Sequence, residues 1–317
     1  MTGIGAAAAA ATPSRYLDPA VLAGVRRLEL RSRLVAEGFL AGSSRSPFHG
    51  SGIEFAQHRA YSPGDEVRRI DWKVWSRTDR LSIKLAEVET NLRCVFLVDA
   101  SPSMRYQPLG GDRLDKFDTA AVLACAGASL LTRTQDAPGL IAFGASVANL
   151  ARLPCRAHPG QAARMAQALE GLAPAAPGGT DLGAAAAAAV ESLSGRGLVV
   201  VLSDLLVEPT DLAKAAARFR HARHDALWLQ VLDADELGFP YQGRTRFVDL
   251  EDGSEVVGDP RGLRQSYLDA LEEHRQAIRA AAAAHGQQVA LVDTSAHLDA
   301  TLHRILHARR QRAGRPG

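Results

Sequence analysis

From residue 93 onward the chain alternates short apolar runs with longer helical stretches, and this rhythm restricts it to few architectures. Runs at 94–98, 139–143, 198–203, 226–232, 245–249 and 288–292 read as strands bounded by turn-forming or polar residues. Helical stretches at 115–132, 160–171, 181–193, 209–221, 261–284 and 297–308 lie between or after them. Parallel strands need long crossover connections, usually helices, so this order predicts a doubly wound, mostly parallel α/β sheet. The run Ala184–Ala189, flanked by Leu182 and Val190, is expected to be a close-packed helix, because alanine is the best helix former.

Upstream the pattern differs. Residues 1–18 read as a flexible tail, and 19–38 as an amphipathic helix with Leu22, Val25, Leu28 and Leu34 on or near one face. Gly42-Ser43-Ser44-Arg45-Ser46-Pro47 breaks that helix. Residues 48–92 carry short alternating patterns and a Ser62-Pro63-Gly64-Asp65 turn, as a small β-rich subdomain would. The expected organisation is therefore a tail (1–18), a helix plus β-rich subdomain (19–92), an α/β domain (93–309) and a terminal tail (310–317).

In open α/β sheets, ligands bind beyond the carboxyl ends of the strands. Three such ends are rich in oxygen. The strand ending at Val98 runs into Asp99-Ala-Ser101-Pro-Ser103, which puts one carboxylate and two hydroxyls on a tight loop. The run Val199-Val-Val-Leu ends in Ser203-Asp204. Pro177-Gly178-Gly179-Thr180-Asp181 opens a helix, with Thr180 placed as an N-cap or a ligand. If these strands are neighbours, Asp99, Ser101, Ser103, Thr180 and Asp204 converge at one edge. Hard oxygens so arranged suit Mg²⁺ or Mn²⁺. Taken singly, Asp99 and the two serines also fit a helix cap that satisfies loop amides.

Other features narrow the function classes. A formal net charge of +2 gives no global field toward nucleic acid. Arginines and tryptophans cluster over 59–80, but Asp65, Glu66, Asp71 and Asp79 interleave with them, as in a salt-bridged subdomain. The arginines of 304–315 read as a solvated terminal helix and tail. Cys94, Cys125 and Cys155 are widely spaced with no C-x-x-C pair, which fits a reducing, cytoplasmic setting. No stretch suits a membrane span. His49, His58, His158, His221, His224 and His285 show no H-x-x-x-H or H-E-x-x-H spacing, and neither a P-loop nor a G-x-S-x-G elbow occurs.

Two resemblances follow from these residues. Asp99-x-Ser101-x-Ser103, Gly179-Thr180-Asp181 and Ser203-Asp204, in that order in a β/α pattern, resemble the von Willebrand factor A domain and its metal-ion-dependent adhesion site (MIDAS). Upstream, Gly50-Ser-Gly52-Ile-Glu54-Phe55, Arg59-Ala-Tyr61-Ser-Pro-Gly64-Asp65, Arg68-Arg69-Ile70-Asp71-Trp72 and Leu81-Ser-Ile-Lys84 look like the signature of domain-of-unknown-function family 58. In that family such a block precedes a von Willebrand A-like domain. Glu236-Leu237-Gly238-Phe239-Pro240 and Val248-Asp249-Leu250-Glu251 are similar to later family segments. The resemblance implies a non-enzymatic adaptor that holds Mg²⁺ (or Mn²⁺) at Asp99, Ser101, Ser103, Thr180 and Asp204 and grips an acidic side chain of a partner. It further implies a MoxR-type AAA+ ATPase as partner, in assembly or maturation of a client complex. The paired membrane helices of many relatives are not expected here. Two alternatives remain: a metal-dependent phosphoryl-transfer or hydrolytic enzyme, and a scaffold with an empty site. The enzyme reading lacks a second carboxylate two residues after Asp99, where Ser101 stands.

Overall fold

A computed structural model describes residues 36, 58–60, 75–77, 82–84, 92–111, 113–144, 151–172 and 180–313. The chain divides into two compact units, Ser46–Asn91 and the remainder. In the smaller unit, β1 (His58–Ala60) pairs antiparallel with β2 (Ser82–Lys84), Arg59 lying opposite Ile83. Most of the 50–84 signature lies outside the described residues. So does the helix expected over 19–38, except Ala36, which is helical and buried.

The larger unit is built on a six-stranded sheet. Its strands are β3 (Arg93–Asp99), β4 (Ala137–Phe143), β5 (Arg152–Leu153), β6 (Leu198–Ser203), β7 (Asp225–Leu232) and β10 (Gln288–Asp293), in the spatial order β10-β7-β6-β3-β4-β5. All neighbours are parallel except β5, which closes one edge antiparallel to β4. Among the described residues the helices that accompany the sheet include α1 (Lys116–Arg133), α2 (Gln161–Glu170), α3 (Leu182–Ser192), α4 (Pro209–His221), α6 (Pro260–Ala283) and α7 (Asp299–Ala313), with a short α5 at Ala234–Gly238.

Strand side chains alternate between faces, so one strand feeds two cores. Phe96, Val98, Val200 and Leu229 pack toward α1, α2 and α7. Val95, Leu97, Val201 and Trp228 pack toward α3, α4 and α6. The alanine run of α3 is buried at Ala185, Ala186, Ala188 and Ala189, allowing close approach to α4. Trp228 is fully buried, and its indole N–H donates to Gln287 Oε1 at 2.8 Å while Gln287 Nε2 donates to the Ala216 carbonyl at 2.8 Å.

The expected strand at 245–249 forms, but outside the main sheet. Among the described residues β8 (Thr245–Val248) pairs antiparallel only with β9 (Glu255–Gly258), as a separate hairpin.

Gly139 marks a tight point at the sheet edge. A Cβ there would sit 2.9 Å from Cys155 Sγ, and 3.0 Å from both the Cys155 amide nitrogen and the Leu153 carbonyl. Gly139→Ala is therefore expected to destabilise by about 1–3 kcal/mol, because two of the three neighbours are backbone. Urea unfolding would show this as a lowered midpoint with an unchanged slope.

Candidate metal site

Chain direction sets the location. After β3 the chain enters α1 on one face of the sheet; after the adjacent β6 it enters α4 on the other. Loops that leave neighbouring strands toward opposite faces open a crevice at their carboxyl ends. Asp99 ends β3 and Asp204 follows β6, so both carboxylates stand at that crevice.

The Asp99 loop folds on itself. Ser101 N donates to Asp99 Oδ1 at 2.9 Å, and Pro102–Arg105 forms one 3₁₀ turn. Ser101 is the N-cap of that turn, yet its hydroxyl makes no capping bond. It lies instead 3.1 Å from Ser103 Oγ. The cap reading thus holds for one oxygen of Asp99 and fails for the serine hydroxyls.

Thr180 is not the N-cap of α3. That role belongs to Asp181, whose carboxylate accepts from Ala184 N at 2.8 Å. Asp181 N also donates to the carbonyl of Gly144, just beyond β4, at 2.9 Å. Thr180 is thereby brought beside β3, and its hydroxyl donates to Asp99 Oδ2 at 3.4 Å. Pro177, Gly178 and Gly179 lie outside the described residues.

Hydrogen bonds therefore join Asp99, Ser101, Ser103 and Thr180, whereas Asp204 makes none to these four. Its Oδ1 accepts from Leu206 N at 3.3 Å, and its Oδ2 is held by Lys116 Nζ at 3.0 Å. Leu205, between these groups, adopts a left-handed φ of 54°. This sharp turn lets Leu205 N donate to Ser203 Oγ at 3.0 Å.

Ser203 and Lys116 belong to the site although the sequence reading selected neither as a ligand. Ser203 Oγ donates to Asp99 Oδ2 at 2.6 Å. Lys116 is buried at the start of α1 and bridges Asp204 to Glu236 Oε1, 2.7 Å away. Burial acts against the ammonium, but the two carboxylates outweigh it and hold its pKa above the usual lysine range. Asp99 is pushed up to about 7 by burial and by the Asp204 charge, against the hydrogen bonds from Ser203 and Ser101.

The donor set fits a small hard cation. Oxygens on neighbouring corners of an octahedron with bonds of about 2.1 Å are about 3 Å apart. The Ser101–Ser103 hydroxyl pair stands at 3.1 Å and the Thr180–Asp99 pair at 3.4 Å. Among the described residues no group of three or more His, Cys, Asp or Glu could hold a metal, so any ion here depends on hydroxyls.

Residues 57–277 match the family described as protein of unknown function DUF58. The chain belongs to the DUF58 family. It is 32% identical over 263 residues to the uncharacterized protein Rv1480 of Mycobacterium tuberculosis, covering 81% of this chain and 80% of that one. Among solved structures it is similar to an aerotolerance-related membrane protein of Bacteroides fragilis, at 19% identity and a TM-score of 0.48, over 69% of this chain and 99% of that one. The SpRpn10 VWA domain aligns at 12% identity and a TM-score of 0.38, over 67% and 93% of the two chains. The strand order β10-β7-β6-β3-β4-β5, parallel except for β5, with helices on both faces, defines the fold. The α/β unit of this DUF58 protein has a von Willebrand A-like fold. None of its described helices is long and apolar enough to cross a membrane.

A second concavity lies at the amino ends of β6, β7 and β10, on the opposite sheet edge. It has a volume of about 480 Å³ and is lined in part by Arg196, Arg220, Arg223 and His285. Helix α4 ends beside it, and basic Arg218, Arg220 and His221 in its last turn answer the partial negative charge of that terminus.

Proposed function

We propose that this DUF58 protein is a metal-dependent protein-binding adaptor of the MIDAS type. The observation that carries this reading is the Ser101–Ser103 hydroxyl pair, at octahedral-edge spacing beside Asp99 and Thr180 in the switch-point crevice. Asp99, Ser101, Ser103, Thr180 and Asp204 hold Mg²⁺ (or Mn²⁺), directly or through water. The bound ion supplies a Lewis-acidic position for a carboxylate of a partner. The chain's own groups preserve that acidity: the hydroxyls are neutral, and Lys116 offsets the charge of Asp204.

The same donor set favours binding over turnover. Two residues beyond Asp99 stands a hydroxyl, not a carboxylate able to shuttle protons. The partner implied by the family resemblance is a MoxR-type AAA+ ATPase, acting with this adaptor on a client complex in the cytoplasm.

Titration calorimetry with Mg²⁺ and Mn²⁺ tests the site. Wild type is expected to bind one ion and Asp99→Ala none; equal, negligible heats for both proteins would remove the metal. Pull-down of an AAA+ ATPase with and without chelator tests the grip. A partner retained equally in both would take the ion out of the contact.

A further inference from the structure

Val248-Asp249-Leu250-Glu251 ends β8 and turns toward β9, and its acidic residue reaches the metal-site loop. Glu251 Oε1 accepts a hydrogen bond from Ser103 N at 3.1 Å, across a separation of 148 residues. A carboxylate thus already stands against the loop that carries two of the hydroxyl ligands.

The hairpin is constructed to deliver it. Asp249 shapes the tip: its Oδ1 accepts from Glu251 N at 2.7 Å and Asp252 N at 3.3 Å, and its carbonyl accepts from Gly253 N at 3.0 Å. The root is fixed by aromatic packing, with the Phe247 ring 5.6 Å from Phe239 and 5.3 Å from Tyr241. Tyr241 hydroxyl lies 2.7 Å from Tyr106 hydroxyl, next to the 3₁₀ turn that includes Ser103.

Among the described residues the hairpin's strands pair only with each other, and a two-stranded ribbon is marginal in water. Val248, Leu250, Val256 and Val257 are exposed. Because β8 and β9 form a sheet of their own, the tip can leave the crevice without disturbing the main sheet.

We propose that Glu251 is the chain's own occupant of the seat that the metal site offers to a partner's acidic side chain. In the resting protein its carboxylate completes the ion's coordination; in the engaged protein a partner's carboxylate displaces it, and the hairpin swings away. The inference rests on the metal reading above. If Glu251 served only to satisfy the Ser103 amide, replacing it would leave the ion's affinity and hydration unchanged.

The test uses the full chain, Mn²⁺ and acetate. Mn²⁺ affinity is measured by calorimetry, and the hydration of the bound ion by water-proton relaxation, for wild type, Glu251→Gln and Glu251→Asp. Glu251→Gln is expected to weaken Mn²⁺ binding about tenfold. It should also raise the relaxivity of bound Mn²⁺, because water enters the vacated position. Acetate should then lower that relaxivity at smaller concentrations in Glu251→Gln than in wild type. Glu251→Asp, which withdraws the charge by one methylene, is expected to fall between the two. Equal affinity and equal relaxivity in wild type and Glu251→Gln would overturn the role of Glu251 while leaving the metal site standing. Absence of Mn²⁺ uptake by wild type would overturn both.

Discussion

Lys116→Met is expected to lower the unfolding free energy by about 3–5 kcal/mol, among the largest losses any single substitution in this fold can cause. The Lys116 side chain is 1% exposed, and its ammonium is shared between Asp204 Oδ2 at 3.0 Å and Glu236 Oε1 at 2.7 Å. Methionine fills the volume but removes the positive charge, leaving two poorly solvated carboxylates facing each other. Glu236 cannot readily turn away, because its other oxygen accepts from Asp233 N at 2.8 Å in the capping box of α5. The triple variant Lys116→Met, Asp204→Asn, Glu236→Gln should recover most of the loss, since a neutralised cluster carries no unpaired charge. Urea unfolding at neutral pH measures both. A single-variant loss below about 1 kcal/mol would show that the cluster is not a tie between α1, the β6 loop and α5. Added Mg²⁺ should restore part of the lost stability in Lys116→Met, by supplying positive charge beside Asp204.

The sheet was legible in the sequence because its strands are continuous apolar runs, and such runs fit strands buried on both faces, as β3, β4 and β6 are. β8 was legible as a strand but not in its partnership. Alternation along 245–249 says that one face is covered, not which sheet covers it. The better signal was Asp252-Gly253, a turn pair with Gly253 at φ 75°, which marks a hairpin rather than a crossover. Thr180 reads as an N-cap or a ligand from sequence, but the cap is Asp181, and what brings Thr180 beside Asp99 is the bond from Asp181 N to Gly144, a contact between distant segments. Lys116 left a trace. It is one of four lysines, and it opens a helix whose following residues, Phe117, Ala120 and Leu123, are core. A charge on that face requires a buried counterion. Glu251 left no trace beyond its family-like segment, because nothing local records which loop a hairpin tip will meet.

Asp99 gives the second large effect, a pH dependence that reverses the usual behaviour of a surface carboxylate. Its pKa is raised from 3.8 to about 7, first by burial and then by the charge of Asp204. Between about pH 4 and pH 7 the folded chain keeps a proton that the unfolded chain has released, so stability falls as pH rises through that window. Above about 7 both states are deprotonated and the penalty is complete, at about 4 kcal/mol as an upper figure. In chelator, the urea midpoint of wild type is therefore expected to be higher at pH 5 than at pH 8, after subtraction of the same difference in Asp99→Asn. That variant keeps the shape without the titration, at the cost of either the acceptor of the Ser203 and Thr180 hydroxyls or that of Ser101 N. Divalent ions should act in the opposite direction, because the ligand is the carboxylate: below pH 7, Mg²⁺ affinity should drop about tenfold for each unit of pH. At pH 8 the ion offsets a buried charge that already exists, so its stabilising effect should be largest there. A wild-type midpoint that tracks Asp99→Asn across pH 5 to 8 without metal would show that Asp99 is already ionised in the folded chain at pH 5.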